Sequence, residues 1–310
     1  MTSTLLSTCS RLAAAWRHEP SWKVVSMHPS GWALGGGALV AAAVSGFVRP
    51  STPFAGRSSG PGSAPTPLPD HLPTVLREHL DVDGDGLVPH MDTVELWGRG
   101  RMRVAPGVWL PLRMRTQHQL GHAFVPDIEL SWYGRTVVSA TEAFVDGRGW
   151  SQQGANVTVG PEIDQGAGLF LWSEAVLIPW LHATERAPAV EEVAEGRLAL
   201  GLPSGDQVEP ALLEFEGGHP VRFSARRFKG AGGAKVDWEV TYGGWREVAG
   251  IRLPDRVEVR WADEPGPWFR FEREGFAANV EVSSRMDEIR HLRDHHPAQA
   301  PAPLPTRPSA

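Results

Sequence analysis

The loop Asp81–Asp92 (DVDGDGLVPHMD) carries carboxylates at its first, third, fifth and twelfth positions and a glycine at its sixth. An EF-hand loop uses these positions to surround Ca²⁺ with oxygen ligands and to make its sharp turn. The candidate metal ligands are therefore Asp81, Asp83, Asp85 and Asp92, with calcium as the cofactor. Position nine, however, is Pro89, and Asp replaces the preferred bidentate Glu at position twelve. The favoured interpretation is therefore an acidic, glycine-rich connector that holds no metal, and a calcium site is the alternative.

Glu174 is a carboxylate in an otherwise apolar stretch, Gln165–His182 (QGAGLFLWSEAVLIPWLH). A charge in such surroundings needs a partner, water or a functional reason. One interpretation is a buried hydrogen bond or a salt bridge with an arginine. The others are a polar contact inside a ligand cavity and simple exposure to solvent.

Further carboxylates and histidines have spacings that suit acid–base or metal chemistry. They are Glu162 with Asp164, Asp127 with Glu129, His118 with His122, and His291 with His295 and His296. Solvated strand faces explain the carboxylate pairs, and no third ligand at metal spacing accompanies the histidines. The sequence contains no G-x-S-x-G nucleophile elbow and no glycine-rich phosphate loop. A non-enzymatic role is therefore favoured, and a hydrolase that uses the carboxylates is the alternative.

The chain has 13 tryptophans and only 2 tyrosines. Indole rings in such number either fill a thick core or line an apolar cavity, and composition alone does not choose between the two. If they line a cavity, its ligand-binding residues are Trp109, Trp132, Trp172, Glu174, Trp180, Trp238 and Trp261. The partner would then be a hydrophobic small molecule or a lipid.

An uncharged apolar stretch, Gly31–Val48 (GWALGGGALVAAAVSGFV), lies near the N-terminus. Its 18 residues would span about 27 Å as a helix, close to the bilayer core of about 30 Å. Basic residues before it favour a cytoplasmic N-terminus and an extracytoplasmic remainder. We therefore expect residues 1–49 to carry a single transmembrane helix. The alternatives are a cleaved signal peptide, which gives a secreted protein, and a start-site artefact.

Charge and composition exclude several classes of protein. A net charge of -6 gives no basic footprint for nucleic acid, and a single cysteine, Cys9, excludes a disulfide framework and a cysteine metal site. The Pro/Gly/Ser-rich residues 50–69 predict a solvated linker, and residues 294–310 predict a disordered tail. The folded domain is therefore expected at residues 70–293.

Over most of this domain the sequence predicts short strands, separated by dipeptides typical of turns such as Asp146-Gly147. Val257, Val259 and Trp261 alternate with charged residues, which predicts one buried and one solvated face. The fold class is therefore mainly β: a curved antiparallel sheet or half-barrel of about ten strands. It encloses one apolar helix at Gln165–His182, broken near Pro179, and a short helix capped by Asp70 precedes it.

Several segments of this domain resemble the uncharacterised bacterial family DUF6544. They are Trp109–Pro111, Phe144–Gly149, Gly160–Gly166, Ser173-Glu174 with Pro179, and Tyr242–Trp261. The predicted architecture is also similar, at the level of fold, to lipoprotein-carrier half-barrels, whose curved sheet and capping helices enclose a hydrophobic cavity.

Anchor, linker, curved sheet and apolar helix together favour a membrane-tethered, extracytoplasmic domain that binds a hydrophobic or lipid-like ligand. A hydrolase and a structural envelope protein without a small ligand are the alternatives.

Overall fold

The computed structural model describes residues 46–204 and 207–296. Residues 46–48 are helical. The elements that follow are β1 (Thr66–Pro67), α1 (Thr74–Leu80), β2 (Leu87–Val88), β3 (Thr93–Ala105), β4 (Val108–Gln119), β5 (Ala123–Trp132), β6 (Arg135–Val145), β7 (Arg148–Gln153), β8 (Asn156–Thr158), α2 (Pro161–Ala175), α3 (Pro179–His182), β9 (Ala189–Ala194), β10 (Arg197–Ser204), β11 (Gln207–Glu216), β12 (His219–Phe228), β13 (Lys235–Val248), β14 (Ile251–Trp261), β15 (Phe269–Ala278) and α4 (Ser283–Asp294).

Thirteen strands form one antiparallel sheet, in the order β8-β7-β6-β5-β4-β3-β15-β14-β13-β12-β11-β10-β9. Two meanders, β3 to β8 and β9 to β15, meet where β15 pairs with β3. The sheet is curved and open. The predicted mainly-β fold is confirmed, with more strands than the expected ten.

Helix α2 lies inside the curve of the sheet. It contacts β6 and β7 near one edge of the sheet, and β10 and β12 near the other. One helix can contact strands near both edges of a thirteen-stranded sheet only if the sheet bends around it. An ion pair between Arg227 of β12 and Glu142 of β6 joins the same two regions. The predicted apolar helix is thus present, and α3 begins at Pro179, where a break was expected.

The two faces of the sheet are covered by different elements. On the concave face, Trp238 pairs with Trp261 and Val240 with Val259 across β13 and β14, as their alternation predicts. The outer face carries a second apolar cluster, to which α4 contributes the buried Met286 and Ile289. The side chains that line the concave face are therefore separated from those under α4 by the sheet itself.

Helix α1 covers one end of the concave core with its buried Leu76 and Leu80. The predicted cap is wrong, because the helix begins at Thr74 after Pro73. Proline fixes a helix-compatible φ and needs no N–H partner at such a position, so it starts the helix later than Asp70. The carboxylate of Asp70 instead accepts a hydrogen bond from Arg77 at 2.9 Å.

Two predicted terminal segments fall largely outside the described residues. They are the apolar stretch 31–48, of which residues 46–48 are described, and the tail 294–310, of which residues 294–296 are described. Among residues 46–204 and 207–296, no helix has the length and apolar character that crossing a membrane requires.

Residues 46–60, here called the strap, lie along the outer face of the sheet. Ser51 shares a hydrogen bond of 2.7 Å with Ser131 of β5, and Gly60 donates to the carbonyl of Ala278 on β15. The predicted solvated linker 50–69 therefore begins with a segment that makes specific contacts with the folded domain.

Candidate functional site: the concave face under helix α2

Three of the predicted ligand-binding tryptophans lie in the concave core. Trp172, Trp238 and Trp261 are 3%, 0% and 8% exposed, and Phe170 of α2 packs edge-on against Trp238 at 4.9 Å. The indole N–H of Trp172 donates to the carbonyl of Pro203 at 2.9 Å. These rings fill the space between sheet and helix, so the core-packing alternative describes them best.

The other three predicted tryptophans lie elsewhere. Trp109 is on the outer face, where Arg270 stacks over its ring at 5.0 Å. Trp132 ends β5 and packs against Phe47 of the strap. Trp180 of α3 donates from Nε1 to Asp92. The six tryptophans therefore do not converge on one cavity.

Glu174 contacts His118 inside the curve of the sheet. Its Oε2 lies 2.9 Å from His118 Nε2, while 28% of the Glu174 side chain and 1% of the His118 side chain are exposed. A carboxylate only accepts hydrogen bonds, so Nε2 carries the proton of this bond. The partner of Glu174 is thus a histidine. A buried hydrogen bond or a salt bridge with an arginine was one of the expectations for this residue. The Nδ1 atom of His118 has no partner among the described residues.

Two further polar side chains lie on the same face. Tyr242 of β13 donates to the carbonyl of Ser173 at 2.6 Å, and burial, with the nearby Glu174 charge, raises its pKa well above 10. Thr116, two residues before His118 on β4, is fully buried, and its Oγ1 has no described partner. We call Thr116, His118, Glu174 and Tyr242 the interior polar cluster.

Arg227 holds the N-terminal half of α2 against the sheet. Its guanidinium donates to the carbonyl of Gly166 and pairs with Glu142, and the rings of Phe170 and Trp238 lie 4.7 and 5.3 Å away. Cation–π contacts of this kind favour a desolvated arginine. Sequence reasoning missed Arg227, although the alternation of Phe223, Ala225 and Arg227 places an arginine on the apolar face.

Two cavities among the described residues lie away from α2. One, of about 120 Å³, is between the strap and the outer face, beside Arg113 and Glu129. The other, of about 330 Å³, is an open polar cleft beside His90 and Asp92. The concave face itself is occupied by α2.

The four aspartates of the predicted calcium loop do not converge. Asp81 accepts hydrogen bonds from the backbone of Gly84 and Gly86, whereas Asp92 contacts His90 at 2.7 Å. Strand β2 lies inside the loop at its seventh and eighth positions, and after Asp92 the chain enters strand β3 at Thr93, where an EF-hand continues into a helix. Among the described residues, no group of three or more histidine, cysteine or acidic side chains is placed to hold a metal ion.

The carboxylate pairs occupy separate surfaces. Asp164 near the start of α2 accepts from the backbone of Gly149, and burial raises its pKa. Glu174 lies ten residues further along the helix, about 15 Å away. Asp127 and Glu129 do share one face, the outer one, where Arg285 and Arg113 pair with them. The shared cleft that the hydrolase alternative requires is not formed by these carboxylates.

His118 and His122 also separate. His122 contacts Asp146 at 3.6 Å on the surface, while His118 points inward to Glu174. The rings of His291 and His295 remain close, 4.1 Å apart and tilted, whereas His296 packs edge-on against Trp150.

Comparison with solved structures gives distant likenesses in shape. A LolA superfamily protein of Nitrosomonas europaea is 10% identical with a TM-score of 0.42, and 69% of this chain and 96% of that chain are covered. A DUF1329 family protein of Desulfovibrio piger is 12% identical with a TM-score of 0.39, and the coverage is 70% and 95%.

Comparison with curated protein sequences gives no match. A family model does match, over residues 63–272, and its description is Family of unknown function (DUF6544). The matched range runs from the residues just after the strap to strand β15, and it contains α2 and the interior polar cluster. The resemblance read from the sequence is thereby confirmed: the chain belongs to the DUF6544 family.

Proposed function

We propose that this chain is a membrane-tethered, extracytoplasmic domain that binds a hydrophobic, lipid-like ligand between its concave sheet and α2. The observation that carries the proposal is the covering of the concave face. A continuous apolar surface, contributed by both meanders, is covered by one apolar helix instead of a second sheet. Movement of this helix would expose the apolar surface without breaking any strand pairing.

Eight hydrogen bonds among the described residues join α2 to the sheet. Three of them are made by Gln165 with β11 and β12, and Asp164 accepts one from Gly149. The other four are Arg227 with Gly166, Trp172 with Pro203, Tyr242 with Ser173, and His118 with Glu174. A net hydrogen bond in a protein contributes about 1 kcal/mol, and each buried methylene about 0.8 kcal/mol. A long acyl chain therefore offers enough burial to offset the loss of these contacts. The ligand takes the place of apolar side chains of α2, Phe170 among them.

The interior polar cluster supports a ligand with a small polar head. His118 Nδ1 accepts a hydrogen bond when Nε2–H points to Glu174, and Thr116 Oγ1 both donates and accepts. Both atoms are buried without a described partner, which costs free energy unless something pairs with them. A hydroxyl or an uncharged carboxyl group supplies the matching donor and acceptor.

The test uses the full chain in a mild detergent. Organic extraction followed by mass spectrometry identifies co-purifying lipid, and titration with the fluorescent fatty acid cis-parinaric acid, competed by palmitic acid, measures binding. We expect saturable binding that Phe170→Ala tightens at least three-fold, because the truncation makes room beside Trp238. Phe54→Ala, which truncates a phenylalanine on the outer face, is the matched control and leaves binding unchanged.

Absence of both extracted lipid and saturable probe binding overturns the proposal. That outcome favours the second candidate, a structural envelope domain without a small ligand. The observation that supports this second candidate is the packing of Trp172, Trp238 and Trp261 in the core.

A further inference from the structure

The strap leaves almost no free chain between the apolar N-terminal stretch and the folded domain. At residue 46, a Cβ would lie 2.3 Å from Nε1 of Trp132, so the backbone is pressed against the indole. Tyr133 N–H donates to the carbonyl of Gly46, and Phe47 packs on Trp132. The last residues of the apolar stretch 31–48 are thus already in contact with the sheet.

Arginines of β3 and β4 hold the strap in place after this point. Arg101 donates to the carbonyl of Phe47, Arg99 to that of Ser51, Arg113 to that of Thr52 and Arg115 to that of Ala55, at distances from 2.8 to 3.3 Å. The ring of Phe54 lies under the guanidinium groups of Arg113 and Arg115, at 4.3 and 4.7 Å. A Pro/Ser/Gly-rich composition predicts a free linker, but these contacts leave little slack in the chain.

The strap starts at one end of the sheet, here called the tether end. It consists of the turn between β3 and β4, the turn between β5 and β6, and the residues between β14 and β15. Trp132 and Tyr133 lie at the second turn, and Trp109 lies beside the first. Val48 is 60% exposed here, and Arg49 and Arg135 are exposed at the same end. The acidic Asp263 and Glu264 of this end are paired with Lys229 and Arg103. Tryptophan and tyrosine with basic neighbours form the composition that proteins place at the membrane–water interface.

We propose that the tether end docks on the surface of the lipid bilayer, with Trp109, Trp132 and Tyr133 at the level of the headgroups and the strap fixing the distance. This inference rests on the proposed membrane tether and adds an orientation to it. With no slack after residue 46, the sheet cannot turn away from the membrane. The opposite end, covered by α1 and α3, then points into the aqueous phase.

The test places a fluorophore at each end of the sheet in the Cys9→Ser background, which removes the single native cysteine. Pro106→Cys labels the turn between β3 and β4, and Glu195→Cys labels the turn between β9 and β10 at the opposite end. The full chain is reconstituted in vesicles of phosphatidylcholine and phosphatidylglycerol that carry a nitroxide quencher on the headgroup. We expect quenching at position 106 at least three-fold stronger than at position 195.

The strap is tested by removing its arginine contacts. In Arg99→Ala/Arg101→Ala/Arg113→Ala, which also removes the contact at Phe47, the released chain gives the domain freedom, so quenching at position 106 falls toward that at position 195. The matched control, Arg226→Ala/Arg246→Ala/Arg260→Ala, removes three arginines that do not contact the strap and leaves the difference intact. If thermal unfolding shows the first triple variant to be unfolded, Arg113→Ala alone carries the comparison.

Two negative outcomes are distinguishable. Equal, weak quenching at both positions in a chain that floats with the vesicles overturns the docking of the tether end and leaves the tether standing. A chain that does not float with vesicles overturns the proposed tether itself. Ligand binding in detergent is independent of both outcomes.

Discussion

At the scale of single residues, the hydrogen bond from His118 stabilises the carboxylate of Glu174 on an apolar helix. Glu174 comes from an otherwise apolar stretch, and neither side chain is more than 28% exposed. Removing one partner of such a pair leaves the other unsatisfied, which costs more than the bond itself contributes. The pair is therefore a sensitive point of the site.

We expect Glu174→Leu to lower the free energy of unfolding by about 1–3 kcal/mol, because the Nε2–H of His118 loses its acceptor. Glu174→Gln keeps an acceptor oxygen and should cost less than about 1 kcal/mol. Urea denaturation of the full chain measures both. Equal losses in the two variants would show that the charge of Glu174, and not its hydrogen bond, matters.

A second prediction at this scale concerns a close approach of two strands. In β3, a Cβ on Gly100 would lie 1.9 Å from the carbonyl oxygen of Arg270, a backbone atom that cannot rotate away. Gly100→Ala should therefore destabilise the domain by at least about 2 kcal/mol through backbone strain. Gly243→Ala in β13 is the matched control, because its nearest neighbour is 3.8 Å away. A Gly100→Ala variant as stable as Gly243→Ala contradicts the packing described here.

At the scale of elements, α1 is held by a cluster of histidines that lie close to a cation. His79 Nδ1 is 3.2 Å from His219 Nδ1, and Trp245 packs edge-on against the His79 ring at 4.8 Å. Arg252 donates to the carbonyl of His79 at the end of the helix. Burial first, and then the charges of His219, Arg252 and His182, lower the pKa of His79 from 6.5 to about 3.

Docking of α1 should weaken in acid. Folded His79 stays neutral until about pH 3, whereas the released histidine takes up a proton below pH 6.5. The stabilising contribution is therefore complete above pH 6.5 and is lost as the pH falls toward 3, at about 1.4 kcal/mol per pH unit. At pH 5 we expect a loss of about 2 kcal/mol from this residue. Hydrogen exchange of the α1 amides, corrected for intrinsic rates, measures it.

The control for this prediction replaces the titrating group. In His79→Leu the pH dependence of α1 exchange between pH 7 and 5 should flatten, although burial of His182 and His219 also lowers their pKa values and leaves a residual slope. His291→Ala, a histidine exposed on α4, should leave the α1 profile unchanged. An unaltered slope in His79→Leu would assign the acid sensitivity to another group.

Local sequence patterns predicted elements well where one face is buried. Val257, Val259 and Trp261 alternate with charged residues, and the structure places them in strand β14 with Val259 and Trp261 buried. β9 (AVEEVA) gives no such signal, since it is an edge strand whose side chains are mostly exposed. The strap was interpreted as a linker because its anchors are backbone carbonyls bound by arginines more than forty residues away, which no local pattern shows.

The site was predicted less completely than the fold. Glu174 and the apolar helix that carries it were identified from composition alone, since a lone carboxylate among apolar residues is visible in the sequence. Its partner His118, and Arg227 at the other end of α2, depend on which strands the curved sheet brings together. Tryptophans that line one cavity must converge, but Trp109 points to the outer face and Trp180 of α3 points to Asp92.

At the scale of the whole molecule, the open sheet and α2 depend on each other. An open sheet of this length needs something inside its curve, and the bond between Arg227 and Glu142 holds β12 and β6 around the helix. The proposed ligand must therefore enter by loosening α2 while the strand pairing remains. The outer-face helix α4 is separated from these events by the sheet.

Binding of an acyl chain should thus have different effects on amide hydrogen exchange in α2, in the sheet and in α4. We expect amides of α2 to exchange at least ten-fold faster in the full chain saturated with palmitic acid, because its contacts with the concave face are replaced by the ligand. Amides of β12 to β14 should be equally or better protected, and those of α4 unchanged, which makes α4 an internal control. Exchange in α2 that slows while the fatty acid binds saturably would mean that the ligand packs on α2 instead of displacing it, and would contradict the mode of entry argued from the filled core.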